Sequence, residues 1–426
     1  MVTAVLLSMP RPKSGDVQRN VALRLYPSAV QATQMKEWLK LHCELYNAAL
    51  EERREVWRMN RKSTGYYDQQ NQLPEVKAIR PELIPLGSHA LQGTLRKLDR
   101  SFNAFFRRVK AGEKPGYPRF KSWRRYPGWT YPDYSGWKYI PDANGRNGKL
   151  RITNLGHVRA RGGSRTQGEP QTCTIMHKRG KWYASIVINR TPERTSGADA
   201  IGMDLGCEKF AAFSSGKRIE NPRHLNKSLV DIKQAQKSLS RKRNLKSNRR
   251  RRAVAKVARL HAKVTNQRKD FLHKESAKLV DKFSVIVTEK LNVKGMSASG
   301  GKRKAGLNRS LRDTGMSTFL TMLKYKAEEA GAWVVEVPTQ KVKPSQTCPE
   351  CWVQKKKELS ERLHKCDNCG YTEDRDVAAA QVMLKWWQRQ QGGDRPGTEG
   401  EVTNPMKCET PRVGGFNLNL MLDCVG

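Results

Sequence analysis

The N-terminal pattern predicts a strand that leads into a helix. Apolar residues alternate with small or polar ones in residues 21–28, which is the period of a half-buried strand. Ser28 is followed three residues later by Gln31, a capping-box pattern, and apolar residues then recur every three or four positions as far as Ala49. His42 lies on this apolar stripe, so we expect it to pack in a core rather than to bind a ligand.

A second helix is predicted over residues 91–109. Leu, Phe and Val recur there at heptad-like spacing, and Gly112 ends the pattern. Each helix has one apolar face, which is what two helices need in order to pack together. Residues 29–112 are therefore predicted to form a helical lobe.

Residues 117–139 combine nine aromatic side chains with interspersed Lys and Arg, and two interpretations fit them. Alternate aromatic residues are typical of the core of a β-rich subdomain. Aromatic rings beside cations are also suited to stacking on bases and pairing with phosphates. Strand patterns continue over residues 172–177 and 182–189, joined by a turn that contains Gly180. We therefore predict a small barrel or sandwich over residues 113–195.

The C-terminal half alternates short apolar strands with helices. A helix is predicted from Asn308 to Gly331, and basic helices precede it. Residues 392–426 are Gly-rich with a weak pattern and are expected to form a disordered tail. Strand patterns occupy residues 201–206, 209–216, 283–291 and 333–338.

Charge adds the first indication of a partner. The 426 residues, about three domain-sized units, contain 81 Lys and Arg against 40 Asp and Glu, which gives a net charge of +41. Self-repulsion of that size destabilises a compact chain unless a polyanion neutralises it, so we predict a nucleic-acid partner. No run approaches ~18 apolar residues, and residues 2–9 lack the basic flank and the length of a signal peptide. We expect a cytoplasmic, DNA-associated protein with no membrane partner.

The most basic stretch is residues 241–252, with eight Lys or Arg in twelve positions between helical flanks. Such runs are often solvated helix faces or targeting signals. Because this run contains no acidic residue, we favour a hairpin that contacts phosphates. The candidate nucleic-acid residues of the two basic segments are Tyr117, Arg119, Phe120, Lys121, Trp123, Arg124, Arg125, Arg241, Lys242, Arg243, Arg249, Arg250, Arg251 and Arg252.

Four of the nine cysteines form two Cys-x-x-Cys pairs separated by fourteen residues. The pairs are Cys348 with Cys351 and Cys366 with Cys369. Two such knuckles can place four thiolates tetrahedrally around one zinc ion, and closed four-thiolate coordination leaves no position open for a substrate. The spacing predicts one structural zinc site.

Three carboxylates fall in predicted elements: Asp204 within 201–206, Glu289 near the end of 283–291, and Asp376 at the start of the last helix. Hard oxygen ligands in such positions can converge on one edge of a sheet. Two Mg²⁺ ions ~4 Å apart, bridged by carboxylates, activate a water and stabilise the leaving oxygen of a phosphodiester. Each acid alone is a weak signal, and their order along the chain carries the hypothesis.

These residues match a known family. The chain resembles TnpB, the OrfB protein of bacterial and archaeal insertion sequences, which is ancestral to type V CRISPR effectors. The resemblance runs from RLYPS and NAALEERR through GYPRFK to GMDLG and VTEKL. Its most specific block extends from SQTCPEC to CDNCGYTEDRDVAAA.

The resemblance implies a multidomain α+β fold. An N-terminal β-barrel wedge would carry an inserted helical recognition lobe, and a C-terminal RNase H-like (RuvC) α/β nuclease would carry a zinc-ribbon insert. The implied boundaries are 1–28 and 113–195 for the wedge, 29–112 for the lobe, 196–345 and 370–391 for the nuclease, and 346–369 for the ribbon.

The resemblance also implies site roles. Asp204, Glu289 and Asp376 match the family's three acids, which hold two catalytic Mg²⁺ ions, and the four cysteines match its ribbon, which holds one Zn²⁺. Arg362 matches a recurring Arg that would neutralise charge on the cleaved phosphate, and an ion pair with Glu361 or Glu358 is an equal alternative. The chain departs from the family in having Ala378 for a common Asn and Trp352 for a common Gly.

The implied function is an RNA-guided DNA endonuclease of a transposable element. It would bind a guide RNA from the transposon end, one protein per RNA, and cleave double-stranded DNA beside a short flanking motif. Two alternatives stay open: a miniature type V CRISPR effector nuclease, and a guide-programmed repressor without cleavage. The presence of all three acids argues against the repressor.

Overall fold

The computed structural model describes residues 17–162, 168–191, 196–298, 300–358 and 361–391. The tail predicted at 392–426 lies outside the described residues. No helix of the described residues is long and apolar enough to cross a membrane. The chain forms two compact units, one of residues 17–199, Phe271–Ser284 and Thr318–Trp333, the other of Ala200–Asp270, Val285–Ser317 and 334–391.

The first unit contains a seven-stranded antiparallel sheet with the strand order β2-β6-β7-β1-β5-β4-β3. β1 confirms the predicted N-terminal strand and pairs with β7 from Val17↔Arg190 to Leu25↔Trp182. Alternate β1 residues such as Leu23 are buried, so one face of the sheet packs into the core. The strands are β1 (Val17–Tyr26), β2 (Gly128–Tyr131), β3 (Trp137–Pro141), β4 (Asn147–Ile152), β5 (Gly156–Arg161), β6 (Glu169–Lys178) and β7 (Lys181–Arg190).

Helices cover the apolar face of this sheet, namely α1 (Ala29–Asn60), α2 (Tyr66–Asn71), α3 (Leu73–Ile79) and α4 (Ser88–Lys110). The predicted capping box is present, since Ser28 Oγ accepts from the Gln31 amide and Gln31 Oε1 accepts from the Ser28 amide. α4 approaches β2 closely at Gly93, where a Cβ would lie 1.9 Å from the Thr130 carbonyl oxygen. A glycine is therefore required at this crossing.

The aromatic segment 117–139 divides between the core and the surface. Tyr126, Trp129, Tyr131 and Trp137 are buried, which confirms the core interpretation for these four. Four other aromatic residues of the segment are exposed to solvent. A role in base stacking stays a prediction for these four. They are Tyr117, Phe120, Trp123 and Tyr134, each between 44% and 48% exposed.

A second sheet has five strands in the order β10-β9-β8-β11-β12. Its central strand is β8, which corresponds to the strand predicted at 201–206 but begins at Asp199 and ends at Leu205. The strands predicted at 209–216, 283–291 and 333–338 are also present. The strands are β8 (Asp199–Leu205), β9 (Lys209–Phe213), β10 (Arg218–Glu220), β11 (Phe283–Glu289) and β12 (Trp333–Val337).

The predicted single helix from Asn308 to Gly331 is wrong. The structure has two helices there, because Gly315 adopts a φ of 70° in the left-handed region and ends the first one. The helices between β10 and the cysteine pairs are α5 (His224–Ser240), α6 (Asn248–Lys282), α7 (Val293–Met296), α8 (Lys302–Thr314), α9 (Met316–Ala330) and α10 (Thr339–Val342).

The basic run lies at the turn between α5 and α6. Buried Asp313 of α8 accepts a hydrogen bond from the Leu225 amide at 3.1 Å and forms an ion pair with Arg268. One carboxylate thus joins the start of α5 to the middle of α6. At the other end of this hairpin, the Arg250 guanidinium donates to the Lys242 carbonyl oxygen.

The chain ends its described part with a small two-stranded sheet and one long helix. The strands β13 (Leu363–Lys365) and β14 (Thr372–Asp374) pair antiparallel beside the cysteines. The helix α11 (Arg375–Gln391) follows β14 with no intervening residue.

Candidate active site and metal centre

Asp204 occupies the central strand of the five-stranded sheet. It is the sixth residue of β8 and pairs in register with Ala212 of β9. Glu289 is the last residue of β11, the other neighbour of β8. Adjacent strands therefore carry the first two acids to one end of the sheet.

The carboxyl groups of Asp204 and Glu289 lie within hydrogen-bonding reach of each other. Burial, this contact and the nearby charge of Asp376 raise the pKa of Asp204 well above its usual range. The structure thus brings all three acids of the sequence hypothesis together. A raised pKa means that the neutral form of Asp204 is favoured beside the other two carboxyl groups.

Close packing of α11 on β8 explains how Asp376 reaches this position. A Cβ on Gly202 would lie 1.9 Å from the Ala380 carbonyl oxygen, so only glycine lets the helix approach the strand at this distance. Gly202 precedes Asp204 by two residues, and Ala380 follows Asp376 by one helical turn. The glycine of the GMD sequence therefore sets the separation between strand and helix.

Asp374 is a functional candidate that the sequence reasoning missed. Its Oδ1 accepts hydrogen bonds from the amides of Asp376 at 3.0 Å and Val377 at 3.4 Å, as a cap of α11. Its Oδ2 forms ion pairs with Arg218 at 2.8 Å and Lys209 at 3.3 Å. One carboxylate thus fixes the start of the helix that carries the third acid to strands β9 and β10. Burial alone would raise the pKa of Asp374, but the hydrogen bonds and the charge of Lys209 lower it below its usual value.

The carboxylate cluster fits a hard divalent cation. All three side chains offer oxygen ligands, the type that Mg²⁺ prefers. The cationic side chains of Lys209 and Arg218 form ion pairs with Asp374, which is not one of the three acids. Among the described residues, only the four cysteines bring three or more candidate ligand atoms within 4.8 Å of one another. The ligand oxygen atoms of the three acids are therefore spread more widely than the four sulfur atoms.

Arg362 lies beside this region but pairs away from the three acids. Its guanidinium contacts Glu208 at 2.8 Å, and both side chains are exposed. The partner is therefore neither Glu361 nor Glu358, the two residues that the sequence suggested. The Arg362 carbonyl oxygen accepts from the Arg375 amide at 2.9 Å, so its backbone borders the start of α11.

The two cysteine pairs form one cluster. Their four sulfur atoms lie within 4.8 Å of one another, with 3.6 Å between Cys348 and Cys369 and 3.5 Å between Cys351 and Cys366. A tetrahedron of thiolates about 2.3 Å from zinc has sulfur atoms about 3.8 Å apart. The measured separations are close to this value, so the donor set and its spacing fit zinc.

Each knuckle turns through a left-handed residue directly after its second cysteine. These residues are Trp352, with a φ of 63°, and Gly370, with a φ of 73°. The Arg389 guanidinium of α11 lies 4.0 Å from the centre of the Trp352 ring. A cation–π contact of this kind offsets part of the cost of holding a bulky residue in a left-handed conformation.

The protonation of the cysteines is uneven. Hydrogen bonds from the Val353 amide and from Asn368 lower the pKa of Cys351 to about 6. Although the Tyr371 amide stabilises the Cys369 thiolate, burial and the neighbouring sulfur atoms raise the pKa of that thiol to about 12. Four thiolates at this spacing therefore need a cation, which is the behaviour expected of a metal centre.

The candidate nucleic-acid residues lie on two surfaces, each within one unit. In the first unit, Arg119 and residues 123–125 are exposed, and Lys121 lies 4.3 Å from the centre of the Tyr46 ring. In the second unit, the run 241–252 is exposed except at Lys242, Ser247 and Arg250, which are half-buried. Both surfaces are open to a ligand.

Known proteins share sequence with this chain over most of its length. A family model described as OrfB_IS605, "Probable transposase", matches residues 183–300, and one described as "Cas12f1-like, TNB domain" matches residues 317–383. A protein of Streptomyces pristinaespiralis is 31% identical over 380 residues, which cover 87% of this chain and 89% of the relative. The chain belongs to the TnpB family.

Further relatives of this TnpB-family chain come from other organisms. InsQ of Escherichia coli K12 is 30% identical over 85% of this chain and 90% of its own length. It and the Streptomyces protein both carry the name "Putative RNA-guided DNA endonuclease". The TnpB-like protein L79 of Acanthamoeba polyphaga mimivirus is 33% identical over 144 residues, 33% of this chain and 27% of its own.

The fold is shared with a solved structure. Cas12f1, determined with a guide RNA and target DNA, superposes with a TM-score of 0.59 over 87% of this chain and 99% of its own. The identity is 13%, so this likeness describes the fold alone. The TnpB-family chain therefore has a mixed α/β multidomain fold of the Cas12f kind.

Proposed function

We propose that the chain is an RNA-guided, Mg²⁺-dependent DNA endonuclease of a transposable element. The observation that carries this proposal is the meeting of Asp204, Glu289 and Asp376 at one end of a five-stranded sheet, in a family whose members are named RNA-guided DNA endonucleases. The net charge of +41 supports it, because a guide and target heteroduplex of ~20 bp carries roughly 40 phosphates.

The three acids would hold the metal ions. Bound Mg²⁺ activates a water and stabilises the leaving 3′ oxygen in an in-line displacement at phosphorus. Asp204, whose pKa the site raises, would lose its proton on metal binding. Asp374 keeps the start of α11 in place, so that Asp376 stays aimed at the same region. Arg362, released from Glu208, would be free to contact a phosphate of the DNA.

The remaining parts of the proposal rest on the chain's membership of the TnpB family. The four cysteines hold one structural Zn²⁺ in a ribbon, and the seven-stranded sheet with its helices is the wedge with its recognition lobe. A guide RNA from the transposon end supplies sequence choice, and the protein reads only a short flanking motif and the backbone. We propose one protein per guide RNA.

The decisive experiment is cleavage by an Asp204→Ala variant. Protein purified with its guide RNA is incubated with matching double-stranded DNA and Mg²⁺. We expect the variant to lose cleavage by at least 10³-fold, in the range typical for loss of a catalytic group, while RNA and DNA binding stay unchanged. The matched control is Glu220→Ala, which removes an exposed acid from β10 of the same sheet. Cleavage by Asp204→Ala at the wild-type rate would disprove the RuvC assignment.

A second candidate is a miniature type V CRISPR effector, favoured by the TNB-domain match and the Cas12f1 fold. Sequencing the RNA that copurifies from the native host separates the two. RNA that ends beyond the gene's own 3′ end supports the transposon nuclease, and RNA with CRISPR repeats supports the effector. A guide-programmed repressor predicts binding without cleavage in the wild-type protein.

A further inference from the structure

The solvent face of the seven-stranded sheet carries a set of basic residues that lie outside the two segments discussed above. Strand register places Arg24 opposite Arg161, and Arg161 opposite Asn147, in one row across β1, β5 and β4. The next row contains Tyr26, Arg159 and Lys149. We call these six residues the basic sheet face.

Like charges directly opposite each other make this face unfavourable on its own. Side chains at paired positions of an antiparallel sheet are about 4.5–5.5 Å apart at Cβ, and equal charges there are destabilising. Within the described chain, Lys149, Arg159 and Arg161 form no salt bridge within 4.0 Å. A bound anion between these rows would remove the repulsion.

Tyr26 lies among these cations. Its ring is 42% exposed, with the Arg24 guanidinium 5.2 Å and the Arg161 guanidinium 5.9 Å from its centre. Hydrogen bonding from Arg161, and then the charges of Arg161 and Arg24, lower the pKa of Tyr26. An exposed aromatic ring between two guanidinium groups offers a base a stacking surface and offers its phosphates two partners.

A cavity of about 410 Å³ opens at this point. It lies over the small residues Gly148 and Ala160, and its walls are Tyr26, Asp142, Asn147, Lys149, Arg159 and Arg161. Its volume falls in the range of small-molecule sites, about 300–1,000 Å³, which accommodates a nucleotide. A double helix stacks its bases inside and cannot place one against Tyr26, so the shape favours an unpaired nucleotide.

We propose that this cavity binds one unpaired nucleotide, with its base against Tyr26 and the flanking phosphates on Arg159, Arg161 and Lys149. This proposal rests on the proposed function, because it takes nucleic acid to be the ligand. The nucleotide can come from RNA or from single-stranded DNA, and both share the chemistry of a base and two phosphates.

Photochemical crosslinking tests the site in the full chain without any need for cleavage. Two probes are used, a uridine dodecamer with one 4-thiouridine and a thymidine dodecamer with one 4-thiothymidine, and crosslinked peptides are mapped by mass spectrometry. We expect a crosslink at Tyr26, retained in Tyr26→Phe and reduced at least tenfold in Tyr26→Ala. If just one of the two probes crosslinks, that probe identifies RNA or DNA as the source of the nucleotide. Absence of the Tyr26 crosslink with both probes overturns the proposal.

Salt dependence supplies the second arm. Arg159→Ala/Arg161→Ala should lower the slope of log K against log[salt] for a dodecamer by about 1.4, since each phosphate contact of a single strand contributes about 0.7. The control Arg100→Ala/Lys110→Ala removes two exposed cations from α4 and should leave the Tyr26 crosslink intact. Because like-charge pairs are removed, the melting temperature of Arg159→Ala/Arg161→Ala should not fall. An unchanged slope overturns the phosphate contacts, whatever the result for Asp204→Ala.

Discussion

Asp374 shows how one residue can organise a site without being one of its three acids. It caps α11 through Oδ1 and binds Arg218 and Lys209 through Oδ2. We expect Asp374→Ala to lower the free energy of unfolding by about 1 kcal/mol, the usual cost of a lost cap. It should also raise the Mg²⁺ concentration needed for half-maximal cleavage, because Asp376 loses its fixed position.

Two comparisons isolate that effect. Asp374→Asn can still cap the helix but loses its charge, so its Mg²⁺ dependence should lie between those of the wild type and Asp374→Ala. Asp367→Ala removes an exposed acid that pairs with Lys355 near the cysteine cluster, and should leave the Mg²⁺ dependence unchanged. A wild-type Mg²⁺ curve for Asp374→Ala would contradict the positioning role.

His42 gives the first unit a pH-dependent stability. It is fully buried, stacks on Trp129 with 5.4 Å between ring centres, and shares a hydrogen bond with Thr94 at 2.8 Å. Burial, with a smaller effect of the Lys97 charge, lowers its pKa to about 3. The unfolded chain takes up a proton near pH 6.5 and the folded chain does not, so stability is lost as the pH falls from about 6.5 towards 3.

The expected loss from this histidine is about 1.4 kcal/mol for each pH unit below 6.5. Chemical unfolding between pH 7 and 4.5, monitored by tryptophan fluorescence, measures it. A His42→Gln variant, which lacks the titrating group, should have a shallower pH dependence even if its stability at pH 7 is lower. Equal slopes for the two proteins would contradict a buried neutral histidine.

The sequence supplied the three acids but not Asp374, for a physical reason. Asp204, Glu289 and Asp376 could be found because element ends and family motifs mark them. Asp374 has one local signal, its place as an N-cap residue directly before the last helix, but its ion pairs with Lys209 and Arg218 exist only in the folded sheet. Tertiary ion pairs of this kind are not readable from a linear pattern.

At the scale of elements, apolar alternation predicted the strands well and helix continuity less well. β1, β8, β11 and β12 lie where the pattern placed them, whereas Gly315 divides one predicted helix into two. Spacing of apolar residues continues across such a break, so periodicity alone does not reveal it. The basic sheet face was missed because each of its three strands contributes only two residues, and register alone brings them together.

The four-cysteine cluster, proposed as a zinc ribbon, makes a prediction of its own. Cys366→Ser should lower the zinc content of the purified protein from one equivalent to well below one, because serine is a poor zinc ligand. The control Cys207→Ser changes a half-buried cysteine outside the cluster and should retain the metal. Zinc is measured by elemental analysis of the folded protein. Equal zinc in the two variants would contradict the four-cysteine site.

At the scale of the whole molecule, the net charge of +41 should make stability depend on salt. The screening length falls from about 10 Å at 0.1 M salt to about 3 Å at 1 M, which weakens self-repulsion. We expect the melting temperature of protein freed of nucleic acid to rise by several degrees over this range, and a polyanion such as heparin to raise it at low salt. A melting temperature that falls with salt would show that attractive ion pairs dominate instead.

The position of α11 after both cysteine pairs has a consequence for synthesis. The third acid follows both cysteine pairs in the chain, so the ribosome adds Asp376 after Asp204, Glu289 and all four cysteines. A nascent chain that already contains the basic sheet face and the hairpin does not yet have the complete set of three acids. Under the proposed function, this order of elements delays cutting activity until the cysteine knuckles have been made.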